Sequence, residues 1–176
     1  VRAHHILEAM PEKYYMPNQF ANEANWRSHY DTTAPEIVRD TKGEADLFVA
    51  GMGTTGTLMG CSRFFREHNP RTKVAGIEPE PDHRIQGLKN MSESIVPEIF
   101  SPELLDYRFM CSDQDAFETV RDLATREGLF CGISSGAALR GAMNAARDLK
   151  RGSTVVVLFP DRGDRYLSTE TYRSVC

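Results

Sequence analysis

Cysteine is scarce in this sequence, and its four copies are widely spaced. Cys61, Cys111, Cys131 and Cys176 form no C-x-x-C pair, which is the spacing that zinc sites commonly use. The sequence therefore predicts no metal site. It also predicts free thiols, as expected in a reducing compartment, and hence a cytoplasmic protein.

Long apolar runs and basic blocks are also missing from the sequence. No apolar run approaches the roughly 20 residues that a membrane-spanning helix needs, and the first residues contain no apolar core of a signal peptide. The formal net charge of the 176 residues is −4. Neither a membrane nor a nucleic acid is predicted as a partner. With 40% hydrophobic and 26% charged residues, the composition is typical of one globular domain with its own core.

A glycine-rich segment stands out in the first third of the chain. Residues 51–56 read Gly-Met-Gly-Thr-Thr-Gly, after an apolar segment that predicts a strand at 46–52 and before a pattern that predicts a helix at 55–68. Glycines let the backbone approach an anion closely, and the free N–H groups and dipole of a helix start attract it. We therefore predict a phosphate group near residues 54–57.

This loop allows two interpretations. A G-x-G-x-x-G pattern with an acid about 20 residues further on is typical of dinucleotide binding, and Glu78 lies 22 residues after Gly56. Three threonines, Thr54, Thr55 and Thr57, favour a terminal monoester phosphate instead, because its three oxygens accept more hydrogen bonds than a bridging phosphate does. From the pattern alone, a nicotinamide-dependent Rossmann-type oxidoreductase stays open as the alternative.

The remaining apolar segments alternate with helical patterns. Further strands are predicted at 72–78, 107–111 and 153–159. A helix of about 17 residues is predicted after a Ser112 cap, and an alanine-rich helix is predicted to end at Leu149. Alternation of strands and helices predicts an α/β fold, with a mostly parallel twisted sheet flanked by helices.

A second glycine turn, Gly132 to Gly136, follows an apolar segment at 129–133. The chain thus contains two predicted strand-turn-helix units. Ligands of parallel sheets bind outside the carboxyl ends of the strands, where we expect both glycine turns to lie. Residues 18–33 are polar and rich in turn formers, which predicts a loop.

Five segments of the chain carry a family resemblance. They are Asn18-Gln-Phe-Ala-Asn, Thr33-Ala-Pro-Glu-Ile, Gly51-Met-Gly-Thr-Thr-Gly-Thr, Arg126-Glu-Gly-Leu-Phe-Cys-Gly-Ile-Ser-Ser-Gly and Asp161-Arg-Gly-Asp-Arg-Tyr-Leu-Ser-Thr. In order and spacing they resemble the cysteine synthases, above all the B type of O-acetylserine sulfhydrylase, in the cystathionine β-synthase family. These are fold-type II enzymes that use pyridoxal 5′-phosphate (PLP). The resemblance covers nearly the whole chain and implies the large domain of the tryptophan synthase β-like fold.

The resemblance also implies roles for individual residues. Ser134 matches the serine that hydrogen-bonds the pyridine nitrogen of PLP, and Gln19 matches a residue near the substrate carboxylate. Lys89 matches a basic residue over the mouth of the site, where it would recognise an anionic substrate or thiosulfate. Five loop residues match those that grip the PLP phosphate: Gly53, Thr54, Thr55, Gly56 and Thr57.

The chain also departs from the family pattern. The family's reactive, Schiff-base lysine lies upstream in a serine-x-x-lysine context, and none of the five lysines here has that context. We therefore expect no catalytic residue in this chain. Residues 1–176 are expected to form a single α/β domain, the C-terminal cofactor-binding part of a longer enzyme, with the N-terminal lysine-bearing portion absent. Pro160 stands where B-type members often carry cysteine, which leaves the sulfur donor open.

The activity implied by the resemblance is a β-replacement. O-acetylserine and sulfide, or thiosulfate, would give L-cysteine or S-sulfocysteine, and the enzyme would be a homodimer. A third interpretation is a non-catalytic truncated homologue that acts as a binding module and docks to a partner.

Overall fold

A computed structural model describes residues 2–173 of the chain. It contains strands and helices together, and none of the helices described is long and apolar enough to cross a membrane. The strands are β1 (Ala45–Gly51), β2 (Lys73–Pro79), β3 (Tyr107–Cys111) and β4 (Thr154–Val157). The helices are α1 (Arg2–Ala9), α2 (Ala24–Ser28), α3 (Ala34–Asp40), α4 (Gly56–His68), α5 (Asp113–Arg126), α6 (Ile133–Ala145) and α7 (Glu170–Arg173).

The four strands form one sheet in the order β3-β2-β1-β4. All three neighbouring pairs are parallel, and Val49 of β1 pairs with Ala75 of β2 and with Val157 of β4. Beyond β1 the chain first builds one side of the sheet and then returns to add β4 on the other side. Such a change of direction opens a crevice at the carboxyl ends of the strands. The predicted α/β fold class is confirmed.

Helices cover both faces of the sheet. Leu47 and Val49 of β1 pack into a core shared with α5 and α6. Phe48 and Ala50 pack into a second core shared with α3 and α4. Because successive strand residues point to opposite faces, a strand buried on both sides is apolar along its buried length, which is why residues 47–52 read as a continuous apolar run.

Most predicted elements are present with small shifts at their ends. The Ser112 cap is confirmed, since its Oγ accepts a hydrogen bond of 3.1 Å from the backbone N–H of Asp115. Helix α5 has 14 residues, about three fewer than predicted. The helix predicted to end at Leu149 stops as α6 at Ala145 and continues as a short 3₁₀ turn. Strand β4 is a half-buried edge strand, shorter than the predicted buried strand at 153–159.

Two sequence predictions are wrong. Residues 18–33 are not all loop, because α2 and a π-helical turn (His29–Thr33) occupy their second half. No strand of the sheet leads into the second glycine turn within residues 2–173. There Cys131 forms a single antiparallel bridge with Arg162. Both errors arise from short segments whose structure depends on packing against distant parts of the chain.

Candidate functional site

A cavity of about 320 Å³ lies at the crevice between the carboxyl ends of β1 and β4. This volume falls at the lower end of the range for small-molecule sites. One wall is the glycine-rich loop after β1, and the others come from the start of α6 and the segment after β4. The lining residues are Gly51, Gly53–Thr57, Gln86–Leu88, Ser134, Leu158, Pro160, Asp161 and Tyr166. The sequence predicted six of them as ligand contacts, and the structure brings all six together.

Thr55 is the turning point of the glycine-rich loop. Its backbone is left-handed, with φ 67° and ψ 0°, and α4 begins at the next residue, Gly56. The Thr55 side chain makes no capping hydrogen bond to this helix start, and the Gly56 N–H has only a long contact of 3.4 Å with Thr54 Oγ1, so the first turn keeps N–H groups that can meet an anion. The Thr55 side-chain oxygen is buried and has no hydrogen-bond partner among the described residues. A β-branched residue in this conformation is uncommon, and buried polar atoms normally have partners, so the loop is built to meet a polar ligand.

Two glycines of the loop are required by close approach. A Cβ on Gly53 would lie 2.7 Å from the carbonyl oxygen of Gly87. A Cβ on Gly56 would lie 1.9 Å from Oδ1 of Asn25. Both contacts are below any normal separation, so these glycines hold the loop against its neighbours and leave its backbone open to the cavity.

Asn25 and His29 hold the glycine-rich loop in place through contacts with its threonine hydroxyls. Asn25 Nδ2 donates to Thr54 Oγ1 at 3.0 Å and to the Gln19 carbonyl at 2.7 Å. His29 Nε2 lies 3.2 Å from Thr57 Oγ1. Sequence reasoning missed both residues. Their spacing of four would place them on one helix face, but that signal appears only once residues 24–33 are known to be helical.

The start of α6 forms the opposite wall. Ser134 lies in its first turn, is 5% exposed and lines the cavity. Asp161, from the segment after β4, accepts a 2.7 Å hydrogen bond from the Tyr166 hydroxyl. Burial, followed by this hydrogen bond, raises the pKa of Tyr166 to about 12. The Tyr166 hydroxyl is therefore a neutral donor at physiological pH.

Gln19 and Lys89 lie close to the cavity but outside the lining that the described residues form. Gln19 is exposed, and its carbonyl is tied to Thr54 through Asn25. The Lys89 backbone N–H donates to the carbonyl of Met52 at 2.8 Å, and its Nζ lies 5.3 Å from the centre of the Phe20 ring. The structure thus brings both residues to the same rim, and their roles toward substrate stay predictions.

Glu78 is engaged in an ion pair at some distance from the cavity. Both of its oxygens accept from the Arg108 guanidinium, at 2.5 and 2.8 Å, and one also accepts from the Met91 backbone N–H. Its side chain is only 3% exposed. Because these contacts occupy the carboxylate, Glu78 does not serve as the ribose-binding acid of a dinucleotide site.

The lysines and thiols of the described chain contribute no nucleophile to the cavity. All five lysines lie within residues 2–173, and none lines it; Lys73, for example, pairs with Asp106 at 2.9 Å. Burial raises the pKa of Cys61 and Cys111 to about 12 and also raises the pKa of Cys131. These thiols stay protonated, so they are packing residues.

Comparisons with known proteins bear on the family of the chain. Residues 1–161 match the family described as pyridoxal-phosphate dependent enzyme. The chain is 45% identical to cysteine synthase B of Salmonella typhimurium over 155 residues, which are 88% of this chain and 51% of that protein. It is 42% identical to a cysteine synthase of Aquifex aeolicus, over 95% of this chain and 52% of that one.

A solved structure supports the fold. O-acetylserine sulfhydrylase isoform 3 of Entamoeba histolytica superimposes with a TM-score of 0.90 at 33% identity, over 98% of this chain and 53% of that one. The chain spans about half the length of the curated relatives it matches. The match over nearly all of its residues shows that the chain belongs to the family of pyridoxal-phosphate dependent enzymes.

Proposed function

We propose that this chain is the cofactor-binding part of a PLP-dependent cysteine synthase. The whole enzyme would form L-cysteine, or S-sulfocysteine, from O-acetylserine and sulfide or thiosulfate by β-replacement. The observation that carries the proposal is the threonine-rich loop, which closes one wall of the cavity at the start of α4 and has, among the described residues, a buried and unpartnered hydroxyl on Thr55. These are features of a site for a terminal phosphate.

The residues of the cavity fit PLP on both of its polar ends. The backbone N–H groups at the start of α4 and the hydroxyls of Thr54, Thr55 and Thr57 would hold the phosphate. Ser134, on the opposite wall, would meet the ring nitrogen with a neutral hydroxyl. A hydroxyl keeps a ring nitrogen less protonated than a carboxylate would, which suits elimination and replacement at the β-carbon.

The cofactor and the residues of the chain would contribute different parts of the reaction. When bound, PLP withdraws electrons from the amino acid and eases departure of a group from its β-carbon. The chain's own residues bind the phosphate, orient the ring and exclude water from that wall. With no lysine lining the cavity, we infer that the lysine of the reaction comes from an N-terminal portion outside these residues. Gln19 and Lys89, at the rim, would contact the substrate carboxylate and an anionic co-substrate.

Substrates, assembly and location are inferred from the relatives. The matched proteins named cysteine synthase and O-acetylserine sulfhydrylase support O-acetylserine and a sulfur nucleophile as substrates. We infer a cytoplasmic homodimer without membrane or nucleic-acid partners. Sedimentation of the full-length enzyme would test the dimer.

Calorimetric titration with pyridoxine 5′-phosphate tests the cofactor assignment. This probe carries the ring and the phosphate of PLP but no aldehyde, so it cannot react with a lysine. We expect the chain to bind it and Thr57→Ala to weaken binding by about 10- to 100-fold, the effect of a lost hydrogen bond to a charged group.

A matched variant and a matched ligand control the titration. Thr125→Ala removes an exposed hydroxyl that donates to the Arg121 carbonyl within helix α5, and its affinity should equal that of the parent. Pyridoxine without phosphate should bind much more weakly. Equal affinity for the two ligands would contradict the proposed phosphate site.

A further inference from the structure

His29 connects the phosphate-site threonine to a second hydroxyl. Its Nε2 lies 3.2 Å from Thr57 Oγ1, and its Nδ1 lies 2.9 Å from Thr33 Oγ1. The ring is half-buried between the π-helical turn that contains it and the start of α4. Both ring nitrogens are thus paired with hydroxyls, and each hydroxyl can donate or accept.

A neutral imidazole can satisfy these two contacts in two ways. If Nδ1 carries the proton, it donates to Thr33, and Nε2 must accept the proton of the Thr57 hydroxyl. If Nε2 carries the proton, it donates to Thr57 Oγ1, and Nδ1 accepts from Thr33. Only the second arrangement leaves the Thr57 O–H free to donate elsewhere, because a hydroxyl has one proton.

A phosphate monoester offers only acceptors at neutral pH, so it needs the second arrangement. We propose that His29 is a positioning residue that holds the Nε2–H tautomer and so turns the Thr57 hydroxyl toward the bound phosphate. The inference rests on the proposed function, since it assumes a phosphate at the glycine-rich loop. Thr33 supports this tautomer from the other side of the ring, because its hydroxyl then donates to Nδ1 at 2.9 Å.

The surroundings of His29 favour this role over packing alone. Burial lowers the pKa of His29, so the ring is neutral at physiological pH and its tautomer decides which hydroxyl can donate. The backbone behind it is fixed, because a Cβ on Gly60 of α4 would lie 2.3 Å from the Trp26 carbonyl oxygen and 2.8 Å from the Tyr30 nitrogen. This close packing holds the His29 backbone and Cβ against α4.

Amide substitutions of His29 test its two ring nitrogens one at a time. The amide nitrogen of glutamine reaches about as far as Nε2, whereas that of asparagine reaches about as far as Nδ1. We expect His29→Asn to weaken pyridoxine 5′-phosphate binding about three- to tenfold, the effect of one misplaced hydrogen bond. His29→Gln should bind within about twofold of the parent, because it can still donate to Thr57. His68→Gln is the matched control. Like His29, His68 has a ring nitrogen close to a hydroxyl, that of Tyr30 at 3.1 Å, but it lies at the far end of α4.

Two further measurements keep the proposal falsifiable if a variant folds poorly. In the unmodified chain, the ¹⁵N shifts of the His29 ring should show protonated Nε2 and unprotonated Nδ1 when pyridoxine 5′-phosphate is bound. In a Thr57→Ala background, His29→Asn should add no further loss of affinity, because the hydroxyl it positions is gone.

The outcomes distinguish this inference from the proposed function. If Thr57→Ala retains full affinity, the phosphate site itself is wrong. If Thr57→Ala loses affinity while His29→Asn does not, or while Asn and Gln lose it equally, the positioning role is wrong. A bound state with protonated Nδ1 would overturn it as well.

Discussion

The two glycine turns look alike in sequence and do different work in the structure. The first, at residues 51–57, follows a sheet strand, and six of its seven residues line the cavity. The second, at residues 132–136, follows no strand of the described sheet and leads into α6, whose residues are largely buried. A Cβ on Gly136 would lie 2.2 Å from the carbonyl oxygen of Ala116 in α5.

The first turn therefore mainly lines the cavity, whereas the second mainly packs one helix against another. Glycines of the first turn give a ligand access to backbone N–H groups, whereas Gly136 of the second lets two helices touch. Only Ser134 of the second turn belongs to the cavity. Substitutions in the first turn should therefore change ligand affinity more than stability, and substitutions in the second should do the reverse.

The largest effect is expected from Gly136→Ala. The new Cβ would lie 2.2 Å from Ala116 O and 2.9 Å from the Val120 backbone nitrogen, and neither atom can move without shifting α5. Such overpacking should lower the free energy of unfolding by about 3 kcal/mol, measured by urea denaturation.

Met143→Ala is the control for that experiment. Met143 lies on the same helix but is 52% exposed, so its truncation should cost no more than about 0.5 kcal/mol. If Gly136→Ala were as mild as this control, the second turn would not be a packing device.

Alkaline pH should lower the free energy of unfolding through two buried thiols, one in α4 and one packed against α5. Cys61 of α4 and Cys111 beneath α5 are both buried, and burial raises the pKa of each to about 12 from 9.0. Between these values the unfolded chain has lost the thiol protons while the folded chain keeps them. Stability is complete below pH 9 and falls as pH rises toward 12, by roughly 1.4 kcal/mol per pH unit for Cys61.

Urea denaturation at pH 8 to 10.5 measures this loss. Cys61→Ala should flatten the pH slope, whatever its effect on stability at pH 8. An unchanged slope would mean that the α4 thiol reaches solvent in the native state and ionises there as it does in the unfolded chain.

Thr55→Gly should raise the stability of the chain while it weakens ligand binding. Thr55 has φ 67°, which costs a β-branched residue about 1 kcal/mol that glycine does not lose. The variant should be more stable by about that amount and should bind pyridoxine 5′-phosphate more weakly, because it lacks the buried hydroxyl.

Lys42→Gly isolates the backbone part of this effect. Lys42 is exposed and also left-handed, with φ 53°, so its replacement should stabilise the chain without changing ligand affinity. If Thr55→Gly behaved like Lys42→Gly in both measurements, the Thr55 hydroxyl would have no part in binding.

The smallest effect is expected from Ser134→Ala. Loss of one neutral hydrogen bond should weaken pyridoxine 5′-phosphate binding about threefold, measured by calorimetry. Ser135→Ala is the neighbouring control, since the Ser135 hydroxyl is buried without a partner among the described residues and does not line the cavity. It should bind the ligand normally. Equal affinity for both variants would assign the whole second turn to packing.

Sequence patterns were most informative where the structure is local. The period of the apolar residues located all four strands, and the Ser112 cap located the start of α5. Helix α2 was missed because five residues are too few to show a period. Its stability comes from packing on α4 at Gly60, a contact between residues more than 30 positions apart.

By itself, the sequence determined the α/β class, the place of the glycine-rich loop and the membership of the family, because each depends on residues that are close together or in a fixed order. Only the tertiary structure decided which of these residues meet. Parallel strands bring Thr57 and Ser134 to one crevice. The π-helical turn after α2 places His29 beside Thr57, and Arg108 of β3 forms the ion pair with Glu78. These partners are 28 to 77 positions apart, and chain topology, rather than local preference, sets which distant side chains become neighbours.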